Sequence, residues 1–165
     1  VKLLCTHGAE ISPRDKHQQT PLHMAVHRAH TVVATFLIDH GADIHARTSK
    51  GRTPLHTAAM ADGNMYWHGG VGIIVQNLIQ RGAEIDARDE AQKTPLHLAA
   101  SKRVTRWEDA NSKFWTVHHL IENGAEILAV DEKLQTPLCV AVRDHINTRS
   151  MVLMDLSKTS SSFVV

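Results

Sequence analysis

Cysteine is scarce in this chain of 165 residues, which contains only Cys5 and Cys139. Two cysteines so far apart supply neither a disulfide framework nor a set of zinc ligands. This scarcity favours a reducing compartment, so we expect a cytoplasmic or nuclear protein that carries no metal and no cofactor.

An excess of charge of one sign is also missing, since the formal net charge is +1. Nucleic acids and anionic membranes attract concentrated positive charge, so neither is an expected partner. The longest apolar stretch, near residues 32–38, is too short to span a bilayer. No nucleophile elbow, phosphate-binding loop, zinc-protease motif or pair of suitably spaced carboxylates is present, which predicts that the chain is not an enzyme.

Repeated motifs fill much of the sequence. Thr-Pro-Leu-His occurs at residues 20–23, 53–56 and 94–97, and Thr-Pro-Leu-Cys follows at residues 136–139. A Gly-Ala pair begins 12 residues before each of these threonines, at Gly8, Gly41, Gly82 and Gly124. The intervals from each threonine to the next of these glycines are 21, 29 and 30 residues. The basic period is therefore 33 residues, and two units carry insertions of 8 and 9 residues.

Each repeated element has a physical role in a pair of helices. Threonine before proline predicts a helix start, because the hydroxyl caps free N–H groups and proline fits the first turn. An apolar, helically spaced run then precedes each Gly-Ala pair, and its glycine suits the positive φ just past a helix end. A unit of two helices and a long loop cannot bury its apolar face alone, so the units must stack.

These motifs resemble the ankyrin repeat family, whose signature is Thr-Pro-Leu-His-x-Ala at a period of 33. The resemblance implies an all-α helical solenoid of paired antiparallel helices with hairpin-like loops, and a role in protein–protein recognition. The chain would then be a single array, cut from a longer protein. Its expected parts are the tail of a preceding repeat (1–17), three full repeats (18–50, 51–91 and 92–133) and a degenerate, polar terminal repeat (134–165).

The loops depart from the Asp-x-x-Gly pattern that is usual in this family. Gln18, Gln92 and Leu134 occupy the glycine place, and Thr48 occupies one aspartate place. Either these loops hold a left-handed residue at about 1 kcal/mol each, or they use another turn type. Cys139 replaces the motif histidine, which puts the hydrogen-bond support of the last unit in question.

The two insertions, near residues 61–72 and 102–113, are rich in aromatic residues. Five of the seven aromatics lie in or beside them: Tyr66, Trp67, Trp107, Phe114 and Trp115. We expect the insertions to be neighbours on one edge of the solenoid. Either the helices lengthen and the aromatics pack together, or the aromatics form a partner-binding patch. Four glycines, at 63, 69, 70 and 72, favour a loop in the first insertion.

The resemblance implies that a partner binds the loop tips and the exposed side of the first helices. Arg14, Arg47 and Arg88 would form a row, and the first three loops lean basic, which suits an acidic partner. The alternative is that these arginines only pair with aspartates of the loops. The candidate binding residues are Arg14, Lys16, His17, His27, Arg28, Arg47, Lys50, Arg52, Met60, Tyr66, Trp67, Arg88, Lys93, Lys102, Trp107 and Trp115.

Function is therefore expected to be that of a protein-interaction module, and the alternative is a structural or autoinhibitory spacer within a larger protein. His23, His27 and His30 share one helical stripe, but no further ligand completes a zinc site there. Adjacent His118 and His119 are expected to point to different sides of a helix. The resemblance also raises the question of whether His45 or Asp86 is hydroxylated, although the usual asparagine is absent.

Overall fold

The computed structural model of the chain describes residue 3 and residues 7–61, 70–102 and 107–143. Tyr66, Trp67 and the side chain of Trp107 lie outside the described residues. The helices, numbered in chain order, are α1 (Pro21–His27), α2 (Thr31–Asp39), α3 (Pro54–Met60), α4 (Gly70–Gln80), α5 (Pro95–Ser101) and α6 (Trp107–Glu122). Residues 137–143 are also helical and are called α7.

The first helix of each unit begins where the Thr-Pro motif predicts it. Thr20, Thr53 and Thr94 are the N-caps of α1, α3 and α5, and a proline follows each of them inside the helix. Each threonine hydroxyl accepts from the backbone N–H three residues on, while the histidine side chain there accepts from the threonine N–H. This reciprocal pair of bonds is a capping box built with histidine.

The second helices extend further into the insertions than the sequence indicates. Gly70 and Gly72 were expected in a loop, but both belong to α4, which has 11 residues. That expectation was wrong, because packing outweighs the poor helix propensity of glycine at these positions. The 16 residues of α6 absorb part of the second insertion into a lengthened helix.

The helices stack in two rows, as a repeat architecture requires. The first row contains α1, α3 and α5, the second contains α2, α4 and α6, and each helix also contacts its pair in the other row. Leu22, Leu55 and Leu96 are 0%, 0% and 3% exposed. The core runs continuously through the stack, and the residues that the structure describes form no strand. The predicted all-α solenoid is confirmed.

The loops between units are closed by one turn that demands a left-handed residue. Gln18, Gln92 and Leu134 have φ of 58°, 56° and 57°, and Gly51 has φ of 70° in the equivalent place. Of the two alternatives left open by the sequence, the left-handed one is therefore correct. The Thr48 hydroxyl accepts from the N–H groups of Lys50 and Arg52, as Asp89 does from Ala91 and Lys93.

Candidate partner-binding surface

The loop tips form a continuous ribbon along one side of the stack. The Ser49 N–H donates to the His17 carbonyl at 2.9 Å, and the Glu90 N–H donates to the Lys50 carbonyl at 3.1 Å. The Glu132 N–H continues the series with the Ala91 carbonyl at 3.2 Å. Side chains at the tips are therefore held at a fixed spacing, which is a requirement for a preformed binding surface.

The predicted row of arginines exists, and each guanidinium reaches the next unit. Arg14 Nη1 donates to the Arg47 carbonyl at 3.1 Å, and Arg47 Nη1 donates to the Arg88 carbonyl at 2.7 Å. Arg88 Nη1 completes the ladder at the Val130 carbonyl, at 2.5 Å. Asp43 lies 3.7 Å from Arg14, and Glu84 lies 3.7 Å from Arg47. These arginines connect units, and the exposed parts of Arg14 and Arg47 remain accessible.

Behind the loops, the motif histidines connect the same units. Nε2 of His23 lies 3.1 Å from the Arg52 carbonyl, and Nε2 of His56 lies 3.0 Å from the Lys93 carbonyl. Because Nδ1 of each ring accepts from a threonine N–H, Nε2 carries the proton and donates. Burial lowers the pKa of His23 and of His56, since the charged form would lose its hydration.

A buried carboxylate of the third loop connects it to the second loop. Asp89 is 4% exposed, and its Oδ2 lies 3.4 Å from Nε of Arg52. The corresponding atom one unit later, Oδ2 of Asp131, has no hydrogen-bond partner among the described residues. Two loop hydrogen bonds and the charge of Lys93 nevertheless hold the pKa of Asp131 below its usual value, against the opposing effect of burial. Of the two predicted binding residues here, Arg52 is therefore ion-paired with Asp89, and Lys93 lies near Asp131.

A groove lies between the first loop and the first helix pair. It encloses about 590 Å³, and its walls include Pro13, Arg14, Met24, Arg28 and Val33. Met24 is 51% exposed, so a flexible apolar side chain lines the groove, while Arg14 and Arg28 border it together with Asp15, whose carboxylate accepts from the N–H groups of its own loop. Such a shape suits an apolar side chain flanked by negative charge. Sequence reasoning did not select Met24, whose only sequence signal was an apolar residue on the polar side of α1.

Contacts between units hold together the edge of the stack where the two insertions lie. Nζ of Lys102 donates to the Ala61 carbonyl, and Trp115 and His119 lie 3.5 Å from a Cβ placed on Gly72. The ends of the two insertions are therefore neighbours, as expected. Lys102 was predicted to bind a partner, but its ammonium group is turned towards the preceding unit.

Aromatic and imidazole rings cluster along α6. Trp115 and Phe114 are 39% and 61% exposed, and their ring centroids are 5.6 Å apart. Both rings contact His118, while His119 stacks on Trp115 at 5.8 Å. The centroids of His118 and His119 are also 5.8 Å apart, but His118 lies 3.3 Å from Glu122 of α6 whereas His119 packs against Gly72 of α4. Trp115 therefore packs against its own helix and stays partly accessible.

Most of the remaining predicted residues are exposed on the ribbon or beside it. Lys16, His17 and Lys50 are exposed at the loop tips. His27 at the end of α1, Arg28 directly after it, and Met60 of α3 are also exposed. The structure brings the first two loops together but keeps Trp115 on the second row of helices, in α6. Within the described ranges, no helix is long and apolar enough to cross a membrane, and no cluster of three metal-ligating side chains occurs.

Comparison with known families gives one consistent result. A model of ankyrin repeats in three copies matches residues 1–68, and a single ankyrin repeat matches residues 50–90. No curated protein matches the chain. The matched regions cover the first two loops, the groove and helices α1 to α4 described above.

Proposed function

Because the chain is an ankyrin repeat protein, a class of modules that generally bind other proteins and are generally not catalytic, we propose that it captures an acidic segment of a partner protein. The segment lies across the first two loop tips and inserts an apolar side chain into the groove beside Met24. The observation that carries this proposal is the groove, which combines an apolar lining with a border of arginines.

The distribution of charge along the ribbon supports placing the acidic segment at the first two loop tips. Lys16 and Lys50 are exposed at neighbouring tips and have no ion-pair partner within the described residues, and Arg28 borders the groove close by. The third tip instead carries Glu90, and at the fourth tip Glu132 stands beside Lys133, so these two tips attract an acidic segment less. Positive charge is therefore concentrated at the start of the array, although the net charge of the whole chain is only +1.

The row of arginines adds positive potential without losing its structural role. Arg14 and Arg47 use Nη1 for the carbonyl of the next unit, and their side chains are 43% and 46% exposed. A carboxylate of the partner that approaches the loops meets guanidinium groups already fixed in position. Fixed donors lose little side-chain entropy on binding, which favours affinity.

A peptide-display selection on the folded chain tests this proposal. We expect enriched peptides to carry Asp or Glu beside Leu, Met or Phe. The affinity of such a peptide, measured by fluorescence anisotropy, should fall at least about 10-fold in the Lys16→Glu, Lys50→Glu double variant, because two attractions become repulsions. Higher salt should weaken the wild-type complex, since these charges are exposed.

Lys133→Glu is the matched control, because it reverses the charge of an exposed lysine on the fourth loop. Its affinity should remain within about twofold of wild type, since it lies outside the proposed basic region. Enrichment of basic peptides, or an equal loss in the Lys133→Glu control, would overturn the proposal. Circular dichroism of each variant verifies that the helices persist.

A further inference from the structure

One position at the loop tips changes its charge along the ribbon. It lies four residues before each motif threonine, and its occupants, all exposed, are Lys16, Ser49, Glu90 and Glu132. The first occupant is positive and the last two are negative. Ser49 is neutral and stands at the boundary between them, so a change of charge at Ser49 would move that boundary by one unit.

The fold leaves the hydroxyl group of Ser49 unused. The backbone N–H of Ser49 donates to the His17 carbonyl at 2.9 Å, whereas its side chain forms no hydrogen bond within the described residues. Thr48, the preceding residue, differs because its hydroxyl accepts from the N–H groups of Lys50 and Arg52 and is partly buried. Of these two adjacent hydroxyls, only that of Ser49 can take a substituent without breaking the turn.

Cationic side chains flank this hydroxyl group. Arg47 lies two residues before Ser49 and its side chain is 46% exposed, and the exposed Lys50 follows directly. The hydrogen bond to His17 holds the first loop alongside, where Lys16 is also exposed. An exposed hydroxyl between cations is complementary in charge to the acidic substrate groove of a serine kinase that prefers basic targets.

We propose that Ser49 is a phosphorylation site whose phosphate releases the acidic partner segment, an inference that rests on the function proposed above. In the transfer, Oγ of Ser49 attacks the terminal phosphorus of ATP bound to the kinase. An O–P bond forms at Oγ, the P–O bond to ADP breaks, and the hydroxyl proton passes to a carboxylate of the kinase. The product carries a phosphoserine at the second loop tip.

The phosphate acts on the partner segment through charge. It carries about −1.5 to −2 charges at pH 7, which roughly cancels the combined charge of Lys16 and Lys50. Its oxygens also pair with these ammonium groups and with the guanidinium of Arg47, which the partner's carboxylates would otherwise use. An acidic segment across the first two tips then loses its attraction to both of them.

Phosphorylation of the folded full chain is the first test. A peptide of residues 44–54 selects, from a panel of serine kinases that prefer basic targets, one that accepts the local sequence. This kinase, with ATP and Mg²⁺, should place a phosphate on Ser49 of the chain, as located by mass spectrometry, and Ser49→Ala should abolish that modification. A panel that never modifies the peptide, or a chain that stays unmodified at Ser49 while the peptide reacts, would overturn the inference.

Binding of the acidic peptide is the second test. The affinity measured by fluorescence anisotropy should fall at least about 10-fold on phosphorylation and return after phosphatase treatment. Ser49→Asp adds one negative charge and should weaken binding about threefold or more, whereas Ser49→Ala should stay within about twofold of wild type. Gln76→Glu is the matched control, because it adds the same charge to an exposed residue of α4, in the second row of helices. It should also stay within about twofold.

The phosphate switch and the proposed function fail in different ways. If the phosphorylated chain binds the acidic peptide as tightly as the unmodified chain does, the switch is wrong and the proposed function stands. If the unmodified chain selects no acidic peptide, the proposed function is wrong and the switch falls with it, even where Ser49 takes up phosphate. A loss of helical circular dichroism on phosphorylation would also contradict the switch, because unfolding would then explain the lost affinity.

Discussion

One motif histidine in each of the three full units couples a helix start to the next unit. His56 is fully buried, its Nδ1 accepts from the Thr53 N–H at 3.2 Å, and its Nε2 donates to the Lys93 carbonyl 37 residues later. Sequence alone identifies the capping role, because Thr-Pro precedes the histidine by a fixed interval. The second bond depends on stacking and becomes visible only in the structure.

Replacing His56 by alanine should therefore cost more than the loss of a helix cap. The change removes the hydrogen-bond partner of the partly buried Lys93 carbonyl and of the Thr53 N–H, and leaves a cavity, so we expect a loss of roughly 2–4 kcal/mol in the free energy of unfolding. Urea denaturation measures this quantity. Cys139→Ala is the control, since Cys139 is exposed and its replacement should change stability by less than about 0.5 kcal/mol. Equal losses in the two variants would show that the bond to the next unit contributes nothing.

At the scale of the helix, the loop predicted from the glycines of the first insertion was wrong for Gly70 and Gly72. Gly70 and Gly72 lie in α4 although glycine disfavours helices, so propensity predicted a loop. Gly72 is buried against Trp115 and His119 of α6, and this packing between units cannot be read from local composition. The Thr-Pro helix starts were predictable from the sequence because their determinants lie within four residues.

Gly72→Ala should stabilise the protein by about 0.5–1 kcal/mol, because alanine favours a helix more than glycine does and its Cβ would meet neighbours at 3.5 Å, an ordinary contact. Gly70→Ala is the matched comparison, since there the Cβ would lie 3.2 Å from Oγ1 of Thr31, which donates to the Gly70 carbonyl. We expect Gly70→Ala to be less favourable than Gly72→Ala in a denaturant titration. The reverse order would mean that α4 packs differently against α2 and α6.

Across the whole molecule, the sequence predicted the stack and the exposure of most candidate residues that the structure describes. It did not predict how the units are connected. The arginine row was predicted as a possible binding feature or as pairing with aspartates, and it is chiefly a ladder to carbonyls 33–42 residues away. Charges could be counted from the sequence, whereas their partners depended on which units become neighbours. The groove at Met24 likewise forms only where the first loop, α1 and α2 meet.

The histidine connections make the stability of the whole array depend on pH. Burial lowers the pKa of His23 and of His56 below the ordinary value of 6.5. Below about pH 6.5, therefore, the unfolded chain binds more protons than the folded chain, and stability falls as the pH falls. Protonation of Nδ1 also removes the acceptor that holds the threonine N–H. Stability from these groups is thus fully present above pH 6.5 and is lost progressively below it.

We expect the midpoint of thermal unfolding to fall between pH 7 and pH 5, a window above that of the aspartates. Asp15 and Asp131 have pKa values lowered from 3.8, so their contribution is lost only at more acidic pH. The His23→Gln, His56→Gln double variant should be less stable at pH 7 and show a shallower dependence on pH, because neither replacement titrates. His27→Gln, which alters an exposed histidine of α1, should keep the wild-type slope. An unchanged slope in the double variant would assign the acid sensitivity to groups other than the histidines that connect the units.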